Sequence, residues 1–310
     1  MHTIAIIGAG AVGCYFGVKL AQAGFDVTIV ARQRQAQMLN EQGLVFQSDG
    51  QKQTIPVKAS EDPAIVGIAD LVLLCVKSYD TEATAQQLAP HLRPETVVLC
   101  MQNGVNNAEV FAKAAGHPAL PAVVYVAAEM DSPTHLAHKG AGHIVIGVPR
   151  GYLQPGFQSV AELAAQLQAA FPCRVSEFIE RDLWQKLIIN CAFNGISAVA
   201  QRQYGDMIGS PEVLALMDQI VVEGVEVAGS LAIPFELQVL NAAVREIGQT
   251  MAAQYSSTAQ DVRRGKRTEI DALNGYVARL GAERGIPTVA NQAVYAMVKL
   301  VEKQPARNGK

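Results

Sequence analysis

Short apolar runs alternate with helix-spaced segments through the first half of the chain, and the alternation stops near residue 176. Residues 3–7 are a continuous apolar run, 11–23 carry helical spacing that stops at Gly24, and 27–31 form a second run. Residues 71–76 and 97–101 read as two more strands, with a helical stretch at 81–92 between them. Residues 123–126 and 143–148 are strand-like, and 174–175 read as the last strand. Near-continuous apolar strands alternating with helices predict a mostly parallel sheet covered on both faces. Beyond residue 176 strands almost disappear. Residues 182–199, 211–230, 235–253, 258–285 and 291–302 all carry helical patterns. The chain therefore divides into a Rossmann-type α/β domain over residues 1–177 and an all-helical domain over 178–310. By composition 149–155 is the most loop-like stretch, and the polar tail 303–310 is expected to fray.

Composition narrows the function classes. Half of the 310 residues are hydrophobic and 17% are charged, which suits a well-buried globular protein. The net charge of −3 leaves no basic excess for a polyphosphate backbone, so no nucleic acid partner is expected. Apolar runs such as 68–76 and 119–128 fall well short of the roughly 18 residues that cross a bilayer, so no membrane partner is expected either. Five cysteines, an odd number with no C-x-x-C spacing, read as free thiols of a reducing compartment. Residues 1–3 lead straight into a strand without a basic signal region, and a cytoplasmic location is expected. His135, His138 and His143 cluster in what reads as a glycine-rich loop, without a metal-ligand pattern.

The first chemistry lies at Gly8-Ala9-Gly10-Ala11-Val12-Gly13, which follows a strand and opens a helix. In that context G-x-G-x-x-G is a dinucleotide-binding turn. Gly8 permits the tight turn, Gly10 lets the backbone approach a pyrophosphate, and Gly13 lets the helix pack on the strand. The helix N-terminus offers free N–H groups to the phosphates. The residue after the second strand selects the cofactor. An NAD site places a carboxylate there, whereas this chain has Ala31-Arg32-Gln33-Arg34. Arg32 can pair with a 2′-phosphate, so NADPH is expected; Arg34 reads equally well as a solvated surface charge. Two further segments end strands where ligands of open α/β sheets bind. Lys77 there can neutralise phosphate or hold the nicotinamide side, and Asn103 can bond nicotinamide or substrate.

The second chemistry lies in the helical half. Lys186, Asn190 and Asn194 are spaced i, i+4, i+8 on one line of a largely apolar helix. A lysine and two amides on a buried face are costly unless they find partners or a ligand. A substrate cleft and a structural hydrogen-bond stripe both satisfy that requirement. A second polar set, Ser256-Ser257 and Arg267-Thr268-Glu269-Ile270-Asp271, contains an acid that can pair with Lys186.

Taken together these motifs resemble the ketopantoate reductase family. The resemblance runs through the glycine loop, Val76-Lys77, Gln102-Asn103-Gly104 and Trp184-x-Lys186-x-x-x-Asn190-x-x-x-Asn194. It continues through Ser256-Ser257, Gln260-Asp261, Thr268-Glu269-Ile270-Asp271, Asn274-Gly275 and the closing Gly285-Ile286-Pro287-Thr288. It implies a C-terminal domain of the 6-phosphogluconate dehydrogenase C-terminal type. It implies Lys186 as general acid, with Glu269 binding substrate and supporting that lysine at the cofactor side. It implies Asn190, Asn194 and Ser257 as substrate contacts, Asn103 at nicotinamide and substrate, and Lys77 and Arg32 as cofactor contacts. The implied reaction is NADPH-dependent reduction of 2-dehydropantoate, a small 2-oxo acid, to pantoate on the way to pantothenate and coenzyme A. Two departures bear on the substrate. Gly195 stands where the family often has proline, and Tyr204 and Gln254 stand where it can present further asparagines. A paralogous reductase of another 2-oxo acid and a non-catalytic NADPH sensor are the alternatives. An all-helical second domain is compatible with a homodimer.

Overall fold

A computed structural model describes residues 1–151 and 159–303. Part of the 149–155 loop and nearly all of the 303–310 tail thus lie outside the described residues. Its contacts divide the chain into two units, Met1–Asp182 and Leu183–Lys310.

The first unit is built on a ten-stranded sheet. Its parallel heart is β1 (Thr3–Ile7), β2 (Asp26–Val30), β6 (Leu71–Leu74) and β7 (Val97–Cys100), in the order β2-β1-β6-β7. β5 (Lys58–Ser60) extends it beyond β2, and β8 (Leu120–Ser132) beyond β7. Successive residues of β1 go to opposite faces, as the period of a strand requires. Ile4 and Ile6 pack with Phe16, Leu20, Ile29 and Leu73. Ala5 and Ile7 pack on the other face with Val72, Leu74, Val98 and Phe111. Helices α1 (Ala11–Gln22), α2 (Gln33–Gln42), α3 (Thr81–Leu88), α4 (Asn107–Ala115) and α5 (Val160–Leu167) complete the α/β unit. Burial on both faces is why β6 and β7 are apolar throughout.

The sheet then departs from the expected pattern. β8 and β9 (His135–Ile146) form a long antiparallel hairpin, far longer than the two short strands predicted at 123–126 and 143–148. The three histidines lie on β9, not in a loop. Gly140, Ala141 and Gly142 have φ of 147°, 53° and 143° and lie where the β8–β9 register shifts. The glycines therefore serve β-bulges inside a strand, and they misled the sequence reading by looking like loop residues. β3 (Leu44–Ser48) and β4 (Gln51–Ile55) add an antiparallel hairpin that the pattern did not reveal, and β10 (Cys173–Val175) pairs parallel with β9.

The second unit is helical. It comprises most of α6 (Ile179–Ala200), then α7 (Tyr204–Ile208), α8 (Pro211–Gly229), α9 (Leu237–Thr250), α10 (Ser257–Arg263), α11 (Asn274–Glu283) and α12 (Val289–Glu302). α8 starts as its sequence dictates, with the Ser210 side chain accepting from the Val213 N–H and proline in the first turn. The helix predicted over 258–285 is broken. α10 ends near Gly265, which has φ 64°, and α11 begins only at Asn274. The intervening segment carries Glu269 and a short 3₁₀ turn, Ile270–Ala272. No helix of the described residues is long and apolar enough to cross a membrane.

Candidate functional site

In the first unit the nucleotide loop joins the carboxyl end of β1 to α1. Gly8 has φ 110°, a region L side chains rarely adopt. A Cβ on Gly13 would lie 2.0 Å from the Gly8 carbonyl oxygen, so helix and turn close on each other only because no side chain is there. A Cβ on Gly10 would meet nothing within 4 Å, so the backbone there faces open space. Among the described residues no side chain caps α1, and its first N–H groups point away from the helix with the dipole behind them. This is a donor set suited to a pyrophosphate. Gln35 was missed by sequence reasoning. Its Nε2 donates to the Ala9 carbonyl at 2.9 Å and to that of Pro133 at 3.0 Å, bracing the loop from α2.

The other residues expected at the cofactor end the neighbouring strands. Arg32 follows β2, is exposed, and precedes the first turn of α2. Asp26 opens the same strand at its other end and pairs with Lys58 at 2.6 Å. Lys77 follows β6, and Asn103 follows β7. With the strand order β2-β1-β6-β7, the glycine loop, Arg32, Lys77 and Asn103 share one edge of the sheet. A buried polar network supports that edge. Gln102 Nε2 donates to Thr81 Oγ1 at 2.9 Å, and Thr81 Oγ1 donates to Asn107 Oδ1 at 3.2 Å. Asn107 Nδ2 in turn donates to the Asn103 carbonyl at 2.8 Å. Nothing in the periodicity distinguishes Thr81 or Asn107 from ordinary helix-start residues.

In the second unit α6 carries Lys186, Asn190 and Asn194 along one line, as their spacing requires. Asn194 is buried, while Lys186 and Asn190 are partly accessible. Although the Lys186 side chain keeps some accessible surface, desolvation of its ammonium lowers the pKa to about 8, with the negative charge of Glu269 opposing the shift. The broken helix thus brings the buried Glu269 within electrostatic reach of the lysine.

The Glu269 segment is anchored on both sides by α12. The Thr268 N–H donates to Glu302 Oε1 at 2.7 Å, and its hydroxyl donates to the same oxygen. Beyond Glu269, Asp271 accepts from the Tyr295 hydroxyl at 2.7 Å and from Lys299 Nζ at 3.1 Å. Burial pushes the Asp271 carboxyl up, but the hydrogen bonds from Tyr295 and Lys299 outweigh it and hold it below its usual value. Ser257 begins α10 and is exposed. Its neighbour Ser256 donates through Oγ to the Asn194 carbonyl at 3.2 Å, which places the Ser257 turn against the stripe.

The two departures from the family pattern have physical settings. A Cβ on Gly195 would come within 2.2 Å of Val294 Cγ1 and 3.4 Å of Asn274 Oδ1. The small residue lets α12 and the start of α11 pack directly on α6. Tyr204 stacks on Phe193 with ring centroids 4.3 Å apart, and its hydroxyl lies 3.5 Å from Asn194 Oδ1. Burial pushes its phenol well above the usual range, so the hydroxyl stays protonated. The Gln254 carbonyl accepts from the Tyr204 N–H at 3.0 Å. Among the described residues no three His, Cys, Asp or Glu side chains group as metal ligands.

Two family models match the chain. Residues 4–151 match "Ketopantoate reductase PanE/ApbA", and 178–302 match its C-terminal model. The chain is 32% identical to 2-dehydropantoate 2-reductase of Vibrio cholerae, over 97% of this chain and 98% of that one. It is 31% identical to the enzyme of the same name from Archaeoglobus fulgidus, over 97% and 98%. Among solved structures, a PanE/ApbA family ketopantoate reductase from Ralstonia eutropha JMP134 is 42% identical with a TM-score of 0.87, covering 97% of this chain and 98% of that one.

Proposed function

Because the chain belongs to the ketopantoate reductase family, we propose that it reduces 2-dehydropantoate to (R)-pantoate with NADPH, Lys186 acting as the general acid. The observation that carries this reading is the line of Lys186, Asn190 and Asn194 on α6, with the charge of the buried Glu269 acting on the lysine. Reduction of a ketone leaves negative charge on its oxygen. A lysine poised near neutrality stabilises that charge and gives up its proton, and a cofactor-binding module needs no such group. When bound, NADPH supplies the hydride. The chain's own residues do the rest. The glycine loop and the α1 N-terminus hold the pyrophosphate, and Arg32 pairs with the 2′-phosphate. Lys77 and Asn103, which share the sheet edge of the glycine loop, would hold the nicotinamide side. Asn190, Asn194 and Ser257 orient the substrate carboxylate and hydroxyl by hydrogen bonds, and Glu269 keeps Lys186 protonated.

The test follows NADPH absorbance with 2-dehydropantoate and a panel of other 2-oxo acids. Turnover that is fastest with 2-dehydropantoate and lost in Lys186→Ala supports the reading. Tight NADPH binding without oxidation in the presence of any of them overturns it in favour of a sensor. One observation favours a second reading, a reductase of another 2-oxo acid. The Tyr204 hydroxyl lies against Asn194 Oδ1, and the Phe193–Tyr204 stack puts an aromatic surface beside a substrate amide. The same panel separates the two, since a substrate other than 2-dehydropantoate would then give the highest kcat/KM.

A further inference from the structure

Three segments of the second unit carry the proposed substrate groups: α6, the turn at Ser256-Ser257, and the segment from Thr268 to Asn274. Two side chains that sequence reasoning left without a role tie these segments together. Ser256 Oγ donates to the Asn194 carbonyl at 3.2 Å, and the Ser256 N–H donates to Ser197 Oγ at 3.3 Å. The Ser256 Oγ also accepts from the Ala259 N–H at 3.0 Å, which fixes the start of α10 and hence Ser257. On the other side Asn274 Nδ2 donates to the Cys191 carbonyl at 3.1 Å and to Asn291 Oδ1 at 3.0 Å. Asn291 is held in turn, its Nδ2 donating to the buried Glu223 carboxylate at 2.8 Å. Asn274 and Asn291 are both fully buried.

These bonds are more than the helix needs. A carbonyl in mid-helix is already satisfied by the N–H four residues on. Cys191 and Asn194 are three apart, so both extra donors reach neighbouring positions of the stretch that carries Asn190 and Asn194. Burying an amide and a hydroxyl for packing alone is costly where an apolar side chain would fill the space. What polar pins add is a single register between segments.

We propose that Ser256 and Asn274 are positioning residues that fix the Ser257 turn and the Glu269 segment against the Lys186 helix. The inference rests on the functional reading above in taking those three segments as the substrate site. Asn274 sets the separation of Glu269 from Lys186. Ser256 sets the placement of Ser257 against Asn194.

The experiment compares Asn274→Ala, Ser256→Ala and Ser256→Thr with the parent enzyme. Lys186 is titrated in the apoprotein by NMR of its ε-carbon, assigned by loss of the signal in Lys186→Ala, and steady-state kinetics are measured with NADPH and the preferred 2-oxo acid. In Asn274→Ala the Lys186 titration is expected to move to lower pH, because the Glu269 charge that raises it is held less closely. In the same variant kcat is expected to fall by on the order of tenfold to a hundredfold. In Ser256→Ala the KM for the oxo acid is expected to rise about tenfold with the Lys186 titration unchanged, and Ser256→Thr, which keeps the hydroxyl, is expected to restore KM. Folded variants that match the parent in both titration and KM, differing only in melting temperature, overturn the inference. Should Asn274→Ala not fold, Asn274→Ser is read in the same way, since its short hydroxyl side chain cannot make both of the amide's bonds. A parent enzyme that oxidises NADPH with no 2-oxo acid overturns the functional reading, and the Lys186 titration, which needs no substrate, then decides the Asn274 inference alone.

Discussion

Burial lowers the pKa of Lys186, and that has a direct consequence for its proposed role. The lysine is the proton donor only while charged, and burial has lowered its pKa to about 8. The rate of reduction is therefore expected to be level below that value and to fall as pH rises through it. A kcat/KM profile, which reports the free enzyme, that stays flat to pH values about two units above it excludes Lys186 as the acid. Lys186→Ala is expected to lower kcat by about 10²–10⁴ while NADPH binding persists. Arg32 is proposed to govern a different choice. It stands at the end of β2, where a carboxylate would hold a ribose hydroxyl. Arg32→Ala is expected to weaken NADPH by about tenfold or more, the worth of a charge-assisted bond, with little change for NADH. Equal losses for both cofactors, measured by fluorescence titration, would mean the arginine does not read the phosphate. These residues were legible because their types are rare in their settings: a lysine in an apolar helix, an arginine where an acid is usual. Gln35, Ser256 and Asn274 were not, because an amide or a hydroxyl is common everywhere, and the carbonyls of Ala9, Asn194 and Cys191 that they reach lie 26, 62 and 83 residues away.

At the scale of elements, close approach decides most of what can be substituted. Gly195 lets Val294 of α12 and Asn274 of α11 reach α6, and its Cβ would stand 2.2 Å from Val294 Cγ1. Gly195→Ala is expected to cost about 1–3 kcal/mol through overpacking, read as a lower denaturation midpoint. An unchanged midpoint would show that α12 can shift at little cost. The helical pattern over 258–285 misled for a related reason. Val262, Ile270, Leu273 and Val277 keep helical spacing on either side of the break, although 263–269 between them are polar. Gly265, with φ 64°, and the anchors of Thr268 on Glu302 and of Asp271 on Tyr295 and Lys299 take the chain out of the helix there. Likewise the β8–β9 hairpin reads as two short strands, because its bulges interrupt the alternation on which a strand is recognised.

At the scale of the molecule, two units carry two halves of the proposed chemistry. The first holds the glycine loop and its strand-end neighbours, the second holds the Lys186 stripe and Glu269. A ligand that binds only the folded first unit stabilises it by mass action, by about 2.7 kcal/mol at a hundred times its Kd. NADPH is therefore expected to raise the melting temperature equally in the parent and in Lys186→Ala. A shift that vanishes in that variant would show that cofactor binding depends on Lys186, contrary to the proposed division of labour.

Local sequence determined a good deal of this: the strand–turn–helix of the nucleotide loop, the arginine after β2, the alignment of Lys186, Asn190 and Asn194, and the change from α/β to helical texture. Each depends on residues close in the chain, where periodicity and backbone sterics act directly. Tertiary structure alone decided the long bulged hairpin, the broken helix that carries Glu269 toward Lys186, and the pins from Ser256 and Asn274 onto α6. Those features depend on which distant groups satisfy a buried donor or acceptor, and a one-dimensional pattern does not encode that pairing.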